Sequence, residues 1–150
     1  MAPHSYPVDF VAAAHRHMYD AKLLEKCGRI ANAGYLYGYV AECGLKSMLI
    51  WYGVGRDSDG SPSNVGTTKY KVHINQLLDG SRFATLHTFV SGRGGSSLLS
   101  LMPDIAHFAD WDVAHRYFAD TALPASFSNW RTAAHQVGRM LDRARTMGHS

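Results

Sequence analysis

The sequence has few cysteines and lacks the common motifs that bind metals or cofactors. Among its 150 residues there are two cysteines, Cys27 and Cys43, and neither a CxxC nor an HExxH motif occurs. We therefore predict no zinc site and no cofactor. Both cysteines fall in segments that predict helix, and we expect them to be buried, reduced thiols.

Long uninterrupted hydrophobic segments are also missing. A membrane-spanning helix needs about 20 consecutive apolar residues, but the most apolar segment, residues 28–52, is interrupted by Arg29, Asn32, Glu42 and Lys46. The start of the chain has neither a basic region nor an apolar core, which is unlike a secretory signal. We therefore expect no membrane association and a cytoplasmic location.

Charge is sparse as well. Charged residues make up 18% of the chain and hydrophobic residues 46%, a composition typical of a globular protein. The length predicts one domain over residues 1–150. A formal net charge of +3 is compatible with a polyanionic partner but is well short of a nucleic-acid-binding tail.

Two adjacent segments near the start predict a helical hairpin. Asp9 can cap a helix over residues 10–27, and Gly28 can end that helix before a second one over residues 28–52. The short link between them favours an antiparallel pair. Because almost every side of the second helix is apolar, we expect it at the centre of a helical bundle.

The central helix carries one polar-tipped stripe. At the helical repeat, the stripe comprises Tyr35, Tyr39, Glu42 and Lys46. Glu42 and Lys46 have the order and spacing of an ion pair, and we expect a partly buried network that the tyrosine hydroxyls join. Such a network favours a role in packing or at a dimer seam over catalysis. Gly34, Gly38 and Ala41 add a groove in which we expect a neighbouring backbone.

The rest of the chain predicts shorter helices and two glycine-rich breaks. Residues 53–69 form a loop, and residues 91–97 form a flexible break without the Gly-Lys-Ser/Thr ending of a P-loop. The predicted helices cover residues 72–78, 82–90, 98–111 and 128–147, with a structured connection before the last. That last helix has one apolar face and one basic face, which is either solvated or follows phosphates. The basic face comprises Arg131, His135, Arg139 and Arg143.

Three segments occur in an order that characterises one family of helical domains. The first is the hairpin sequence HMYDAKLLEKCGRIANAG followed by YLYGYVAECGLKSML, the second is VHINQLL at residues 72–78, and the third is WDVAHRY at residues 111–117. Together they resemble the HEPN domain, a small helical domain shared by higher eukaryotes and prokaryotes, and in particular its stand-alone bacterial members. The resemblance covers residues 10–141.

The resemblance implies an all-α fold, namely an antiparallel up-and-down bundle of four to five helices, and a homodimer. It further implies binding of RNA or a nucleotide and a role in a toxin–antitoxin or defence system. Some HEPN members pair with a small nucleotidyltransferase, and others are binding or assembly modules. Two functions are therefore open: an RNA- or nucleotide-binding protein, and a non-catalytic module that partners a nucleotidyltransferase.

The ribonuclease motif of the family is degenerate in this sequence. Many HEPN members are metal-independent endoribonucleases whose site is an arginine followed, after four to six residues, by a histidine. Arg116 stands in the expected place, but no histidine follows it at that spacing. His115 beside it has the right chemistry for acid–base catalysis. Arg82 and His87 match the spacing, although they lie in an earlier segment.

Several further side chains are candidates for contact with a ligand. Tyr117 could orient a base or a phosphate, and the full set comprises Trp111, Tyr117, His73, Arg131, His135 and Arg139. A structural interpretation also exists for these residues. In it, Arg116 pairs with a carboxylate such as Asp20 or Glu42, the aromatic residues seal the bundle, and His73 is a structural histidine.

Overall fold

The computed structural model describes residues 6–150, and throughout this range the regular structure is helical. The α-helices are α1 (Phe10–Lys26), α2 (Ile30–Trp51), α3 (Ile74–Leu77), α4 (Gly80–Ser91), α5 (Ser96–Leu99) and α6 (Phe127–Thr146). Three 3₁₀ helices lie between α5 and α6, at Ile105–Asp110, Val113–Tyr117 and Asp120–Ala122. None of the helices in the described part of the chain combines the length and the apolar character that a membrane crossing needs.

The predicted hairpin of the first two helices is confirmed. Asp9 caps α1, because its Oδ1 accepts a hydrogen bond from the backbone N–H of Ala12 at 3.0 Å. Gly28 follows α1 with φ of 77°, a conformation that glycine adopts without the steric cost of a Cβ. Three residues then suffice to bring α2 back along α1, and the two helices pack against each other.

Helix α2 is the core of the molecule, as its composition predicts. It contacts α1, α3, α4 and α6, and its residues from Val40 to Leu49 are all buried. Cys43 lies in this stretch, and burial raises the pKa of its thiol to about 12. Cys27, by contrast, is exposed at the end of α1. The expectation of a buried thiol at Cys27 is therefore wrong, because the helix ends just before it.

The small residues of α2 accept aromatic rings rather than a neighbouring backbone, so that expectation is also wrong. A methyl group at Gly34 would meet the rings of Phe127 and Trp130 at 3.0 and 3.1 Å. At Gly38 it would overlap the indole of Trp111. Trp111 is fully buried there, and its Nε1 donates to the carbonyl oxygen of Tyr35 at 3.1 Å. The glycines thus make room for two tryptophans.

One helix over residues 98–111 does not form, and that prediction is wrong. The chain makes the short α5, then turns, and continues as the 3₁₀ helix Ile105–Asp110. Pro103 explains the interruption, because it has no N–H to donate and its ring clashes with the preceding helical turn. The side chain of Gln136 binds the turn instead, since its Oε1 accepts from the Asp104 N–H at 3.0 Å and its Nε2 donates to the Asp104 carboxylate at 2.6 Å.

The loop predicted at residues 53–69 contains no helix, as expected, but it is folded against the helices. Two isolated antiparallel bridges, Arg56 with Pro62 and Val65 with Thr68, shape it. Ser61 and Val54 are buried. The loop therefore covers one end of α2.

The contact between Trp111 and α2 generates a stability prediction. Replacing Gly38→Ala should destabilise the fold by about 1–3 kcal/mol, because the new methyl group and the indole cannot occupy the same space. Gly80→Ala is the matched control, since nothing lies within 4 Å of a Cβ at that position. Urea unfolding followed by circular dichroism measures both. Equal midpoints for Gly38→Ala and wild type would contradict the close contact between Trp111 and Gly38.

Candidate functional site

A buried ion pair anchors one side of α2. Lys46 Nζ donates to Glu42 Oε2 at 3.1 Å, and the two side chains are 7% and 9% exposed. The ring of Phe10 lies 5.6 Å from the ammonium. The second carboxylate oxygen, Glu42 Oε1, is 3.0 Å from Nδ1 of His73. This contact joins His73, whose side chain is 42% exposed, to the buried ion pair.

The tyrosines of the stripe form a second unit beside the ion pair. The hydroxyls of Tyr35 and Tyr39 are hydrogen-bonded to each other at 2.8 Å, and no hydrogen bond within residues 6–150 joins either of them to Glu42. The tyrosine pair and the ion pair are therefore linked by ring contacts and not by a hydrogen bond. The His73 ring lies 6.0 Å from that of Tyr39 in an edge-on arrangement, so it bridges the carboxylate and the tyrosine pair.

Trp111 packs against the tyrosine pair from the interior of the protein. Its indole stacks on Tyr35 with ring centroids 5.3 Å apart and meets the edge of Tyr39 at 5.4 Å. Burial, followed by the hydrogen bond with Tyr35, raises the pKa of Tyr39 above its ordinary value. The Tyr39 hydroxyl thus stays protonated in the neutral range, and both hydroxyls can exchange hydrogen bonds with a polar ligand.

Arg116 and Tyr117 complete the exposed side of this cluster. Tyr117 is 77% exposed, and the Arg116 guanidinium lies over its ring at 4.8 Å. The pKa of Arg116 is raised mainly by the neighbouring Tyr117 hydroxyl and to a smaller extent by that of Tyr35. The guanidinium thus lies against the Tyr117 ring, near enough to Tyr35 for that side chain to affect its pKa. We call this surface the aromatic patch, and it comprises Tyr35, Tyr39, His73, Arg116 and Tyr117.

His17 of α1 borders the aromatic patch. Its ring lies 5.5 Å from that of Tyr39. Burial and then the charge of Arg16 lower the pKa of His17, against the opposing effects of Asp20 and Glu42. The imidazole is therefore neutral at pH 7 and offers one donor and one acceptor.

The structure separates His115 from Arg116 although they are adjacent in sequence. His115 is buried, and its ring stacks on Trp130 at 5.8 Å and meets the edge of Phe118 at 5.0 Å. Its Nδ1 accepts a hydrogen bond from the Asp112 N–H at 3.3 Å. His115 thus stabilises the turn before the 3₁₀ helix Val113–Tyr117, while Arg116 points to solvent.

The second predicted pair, Arg82 and His87, is also divided. Both lie on α4, where a separation of five residues corresponds to a rotation of about 140° around the helix axis. Arg82 Nη1 donates to the carbonyl oxygen of Gln76 at 2.8 Å, whereas His87 Nδ1 lies 3.3 Å from the hydroxyl of Ser91. The two side chains therefore have separate local partners.

The basic face of α6 is only partly solvated. Arg131 Nη1 donates to Glu25 Oε2 of α1 at 2.8 Å, and His135 packs against Tyr37 with ring centroids 6.1 Å apart. Arg139 is exposed. These three residues thus lie on the side of α2 opposite to Tyr35, because Tyr35 and Tyr37 are about 200° apart around the helix.

Arg116 does not form the ion pair that the structural interpretation expects. Within residues 6–150, neither Asp20 nor Glu42 lies within ion-pair distance of its guanidinium. Trp111 does seal the bundle, but Tyr117 is too exposed to do so. The arrangement instead offers π-faces, a cation and hydroxyl groups on one surface, which together can bind a planar ring and a phosphate.

Comparison with known proteins finds no protein-family model, no curated protein and no solved structure that matches this chain. The function is therefore inferred from the geometry of the site. Within the described residues, no three His, Cys, Asp or Glu side chains gather in a way that could hold a metal ion.

Three residues that line a cavity on the other side of α2 were not predicted from the sequence. Glu25, Tyr37 and Lys22 meet His135 around a cavity between α1 and α6. Glu25 and Tyr37 lie twelve positions apart on different helices, so no helical spacing could pair them. The sequence did contain the i,i+4 series of basic residues on α6. That series predicted a basic surface but not which residues of α1 and α2 face it.

The buried ion pair generates a second prediction. Glu42→Gln should lower the free energy of unfolding by about 3–5 kcal/mol, because it leaves the Lys46 ammonium buried without a countercharge. Lys71→Ala is the control, since it removes an ion pair whose side chains are 61% and 37% exposed, and it should change stability far less. Urea unfolding measures both. Unchanged stability with lost ligand binding would assign Glu42 to the binding site instead.

Proposed function

We propose that the protein is a HEPN-like helical protein that binds RNA or a nucleotide through the aromatic patch. The single observation that carries this proposal is the exposed Tyr117 ring with the Arg116 guanidinium over it at 4.8 Å. An aromatic ring that is 77% exposed contributes little to a hydrophobic core. It is available for stacking by a base, which is how many proteins bind single-stranded nucleic acid.

The neighbouring groups fit the other parts of a nucleotide. Arg116 has planar donors that suit a phosphate, and within the described residues no carboxylate competes for it at ion-pair distance. The Tyr35 and Tyr39 hydroxyls, 2.8 Å apart, can exchange hydrogen bonds with a ribose or a base edge. His73 adds an imidazole whose side chain is 42% exposed. Stacking, charge and hydrogen bonding thus meet on one surface.

Binding rather than cleavage is the better-supported activity. Metal-independent cleavage of RNA needs an acid and a base close to the phosphate that the arginine holds. His115 is buried against Trp130, and His87 lies on α4 with Ser91 as its partner. Neither of these histidines accompanies Arg116, and His73, the histidine of the aromatic patch, does not follow the arginine at the motif spacing and is hydrogen-bonded to Glu42. We therefore propose that the ribonuclease motif is degenerate and that a role in a toxin–antitoxin or defence system would be exercised by binding.

A second candidate function is a non-catalytic module that contacts another protein, such as a small nucleotidyltransferase or a second copy of this chain. The observation that favours it is the pair of exposed apolar side chains on α1, where Tyr19 is 67% and Leu23 is 46% exposed. They are four positions apart and lie on one face of the helix. Exposed apolar neighbours of this kind mark contact surfaces in many proteins.

The binding proposal predicts the behaviour of two single variants. Arg116→Ala and Tyr117→Ala should each weaken binding of a fluorescent single-stranded RNA, Tyr117→Ala by about 5- to 150-fold, because one stacked base contributes about 1–3 kcal/mol. Fluorescence anisotropy with chelator present measures the affinity, and gel analysis of the same RNA reports cleavage.

The control for this experiment is Arg93→Ala. Arg93 also lies over an aromatic ring, that of Phe89 at 3.6 Å, but it belongs to α4 and not to the aromatic patch. Its loss should leave the RNA affinity within about twofold of wild type once the salt-dependent charge effect is matched. Equal losses for all three variants, or no binding by the wild type, would refute the proposal.

The contact proposal predicts the oligomeric state. At micromolar concentration the wild type should elute from a sizing column as a dimer, and Tyr19→Ser with Leu23→Ser should elute as a monomer with unchanged unfolding. A monomeric wild type that also fails to form a complex with a co-expressed nucleotidyltransferase would remove this second function.

A further inference from the structure

A basic groove lies on the side of the molecule away from the aromatic patch. It is a cavity of about 280 Å³ lined by Lys22, Glu25, Lys26, Tyr37 and His135. The lysines lie on the last two turns of α1, Tyr37 forms the wall from α2, and His135 faces them from α6. We call this cavity the basic groove.

The one carboxylate that lines the basic groove is already occupied. Tyr37 donates its hydroxyl to Glu25 Oε1 at 2.8 Å, and Arg131 donates Nη1 to Glu25 Oε2 at 2.8 Å. Although burial acts to raise it, these two hydrogen bonds hold the pKa of Glu25 below its ordinary value. Glu25 is therefore ionised and neutralised by Arg131. Within residues 6–150 its ion pair is with Arg131, and it forms none with the other cations near the basic groove.

Those other cations have no carboxylate partner. Within residues 6–150, neither Lys22, Lys26 nor Arg139 takes part in an ion pair. Burial and the charge of Lys22 lower the pKa of His135, and Arg139 and Arg131 lower it further against the opposing effect of Glu25. Positive charges from α1 and α6 thus act on His135, and the charge of Glu25 offsets them only in part.

We propose that the basic groove is a second binding site, and that it takes a phosphate group through Lys22 and Lys26 of α1 together with His135 of α6. A phosphate carries up to two charges and accepts hydrogen bonds from several directions, which suits donors that converge from two helices. Lysine binds phosphate as a point charge and needs no fixed orientation. A free phosphate, a phosphorylated metabolite and an RNA backbone share this chemistry.

The basic groove does not depend on the proposed function of the aromatic patch. Tyr37 and Tyr35 face opposite sides of α2, so one phosphate cannot touch both surfaces. Loss of binding at Arg116 and Tyr117 would therefore leave the basic groove unchanged, and the two proposals fail separately.

Two-dimensional NMR of the intact protein tests the basic groove. Three probes are titrated separately: inorganic phosphate, inorganic pyrophosphate and a single-stranded RNA of about ten nucleotides. We expect saturable shifts of amides in residues 22–26 and 131–139 with at least one probe. Shifts with the inorganic anions identify a small phosphate ligand, and shifts with RNA alone identify a backbone phosphate. Absence of saturable shifts there with every probe would overturn the proposal.

Charge-matched double variants separate a site from general attraction. Lys22→Gln with Lys26→Gln should weaken binding by at least about tenfold, because it removes two donors of charge-assisted hydrogen bonds, which are stronger than neutral ones. Lys69→Gln with Arg93→Gln removes the same charge far from the basic groove and should retain wild-type affinity once general electrostatics are accounted for. Equal weakening by the two pairs would show that only net charge matters and would overturn the site.

The pH dependence tests the part played by His135. The pKa of His135 lies below its ordinary value in the free protein, and a bound anion favours the protonated form. Binding of sulfate, whose own charge is constant in this range, should therefore tighten from about pH 7.5 to about pH 5.5. His135→Gln should abolish this dependence, whereas His87→Gln should keep it. An unchanged dependence in His135→Gln would overturn the placement of the anion beside His135.

Discussion

The contact between Trp111 and the glycine at position 38 determines how the rest of the molecule is arranged. Because Gly38 has no side chain, the indole lies directly on the backbone of α2 and donates to the carbonyl oxygen of Tyr35 at 3.1 Å. This contact holds the irregular segment after α5 against the central helix. It also brings Arg116 and Tyr117, which follow Trp111 by a few residues, to the two tyrosines of α2.

The central helix thereby serves three purposes through three faces. Its apolar faces make the core, the face with Tyr35 and Tyr39 supports the aromatic patch, and the face with Tyr37 forms one wall of the basic groove. Polar groups on a buried helix are costly unless each has a partner. The partners here come from other helices: His73 completes the carboxylate of Glu42, and Glu25 accepts from Tyr37.

Local sequence signals predicted the regular helices well and the irregular segments poorly. Asp9 and Gly28 mark the ends of α1, and the apolar character of α2 indicates its central position; both signals act within a few residues. The prediction of one helix around Pro103 was wrong because the apolar spacing there resembles that of a helix. The turn that forms instead is held by Gln136 of α6. Similarly, the spacing of Arg82 and His87 resembled a catalytic motif, but consecutive turns of α4 point them to different partners.

The sequence by itself determined the all-helical class, the hairpin of α1 and α2, and the Glu42–Lys46 ion pair, because periodicity, capping and i,i+4 spacing are local properties. Only the tertiary structure decided which side chains share a surface. Trp111 meets Tyr35 across 76 positions of chain, and Arg131 meets Glu25 across 106. Such pairs form because packing brings distant helices together, and no pattern within one segment encodes them.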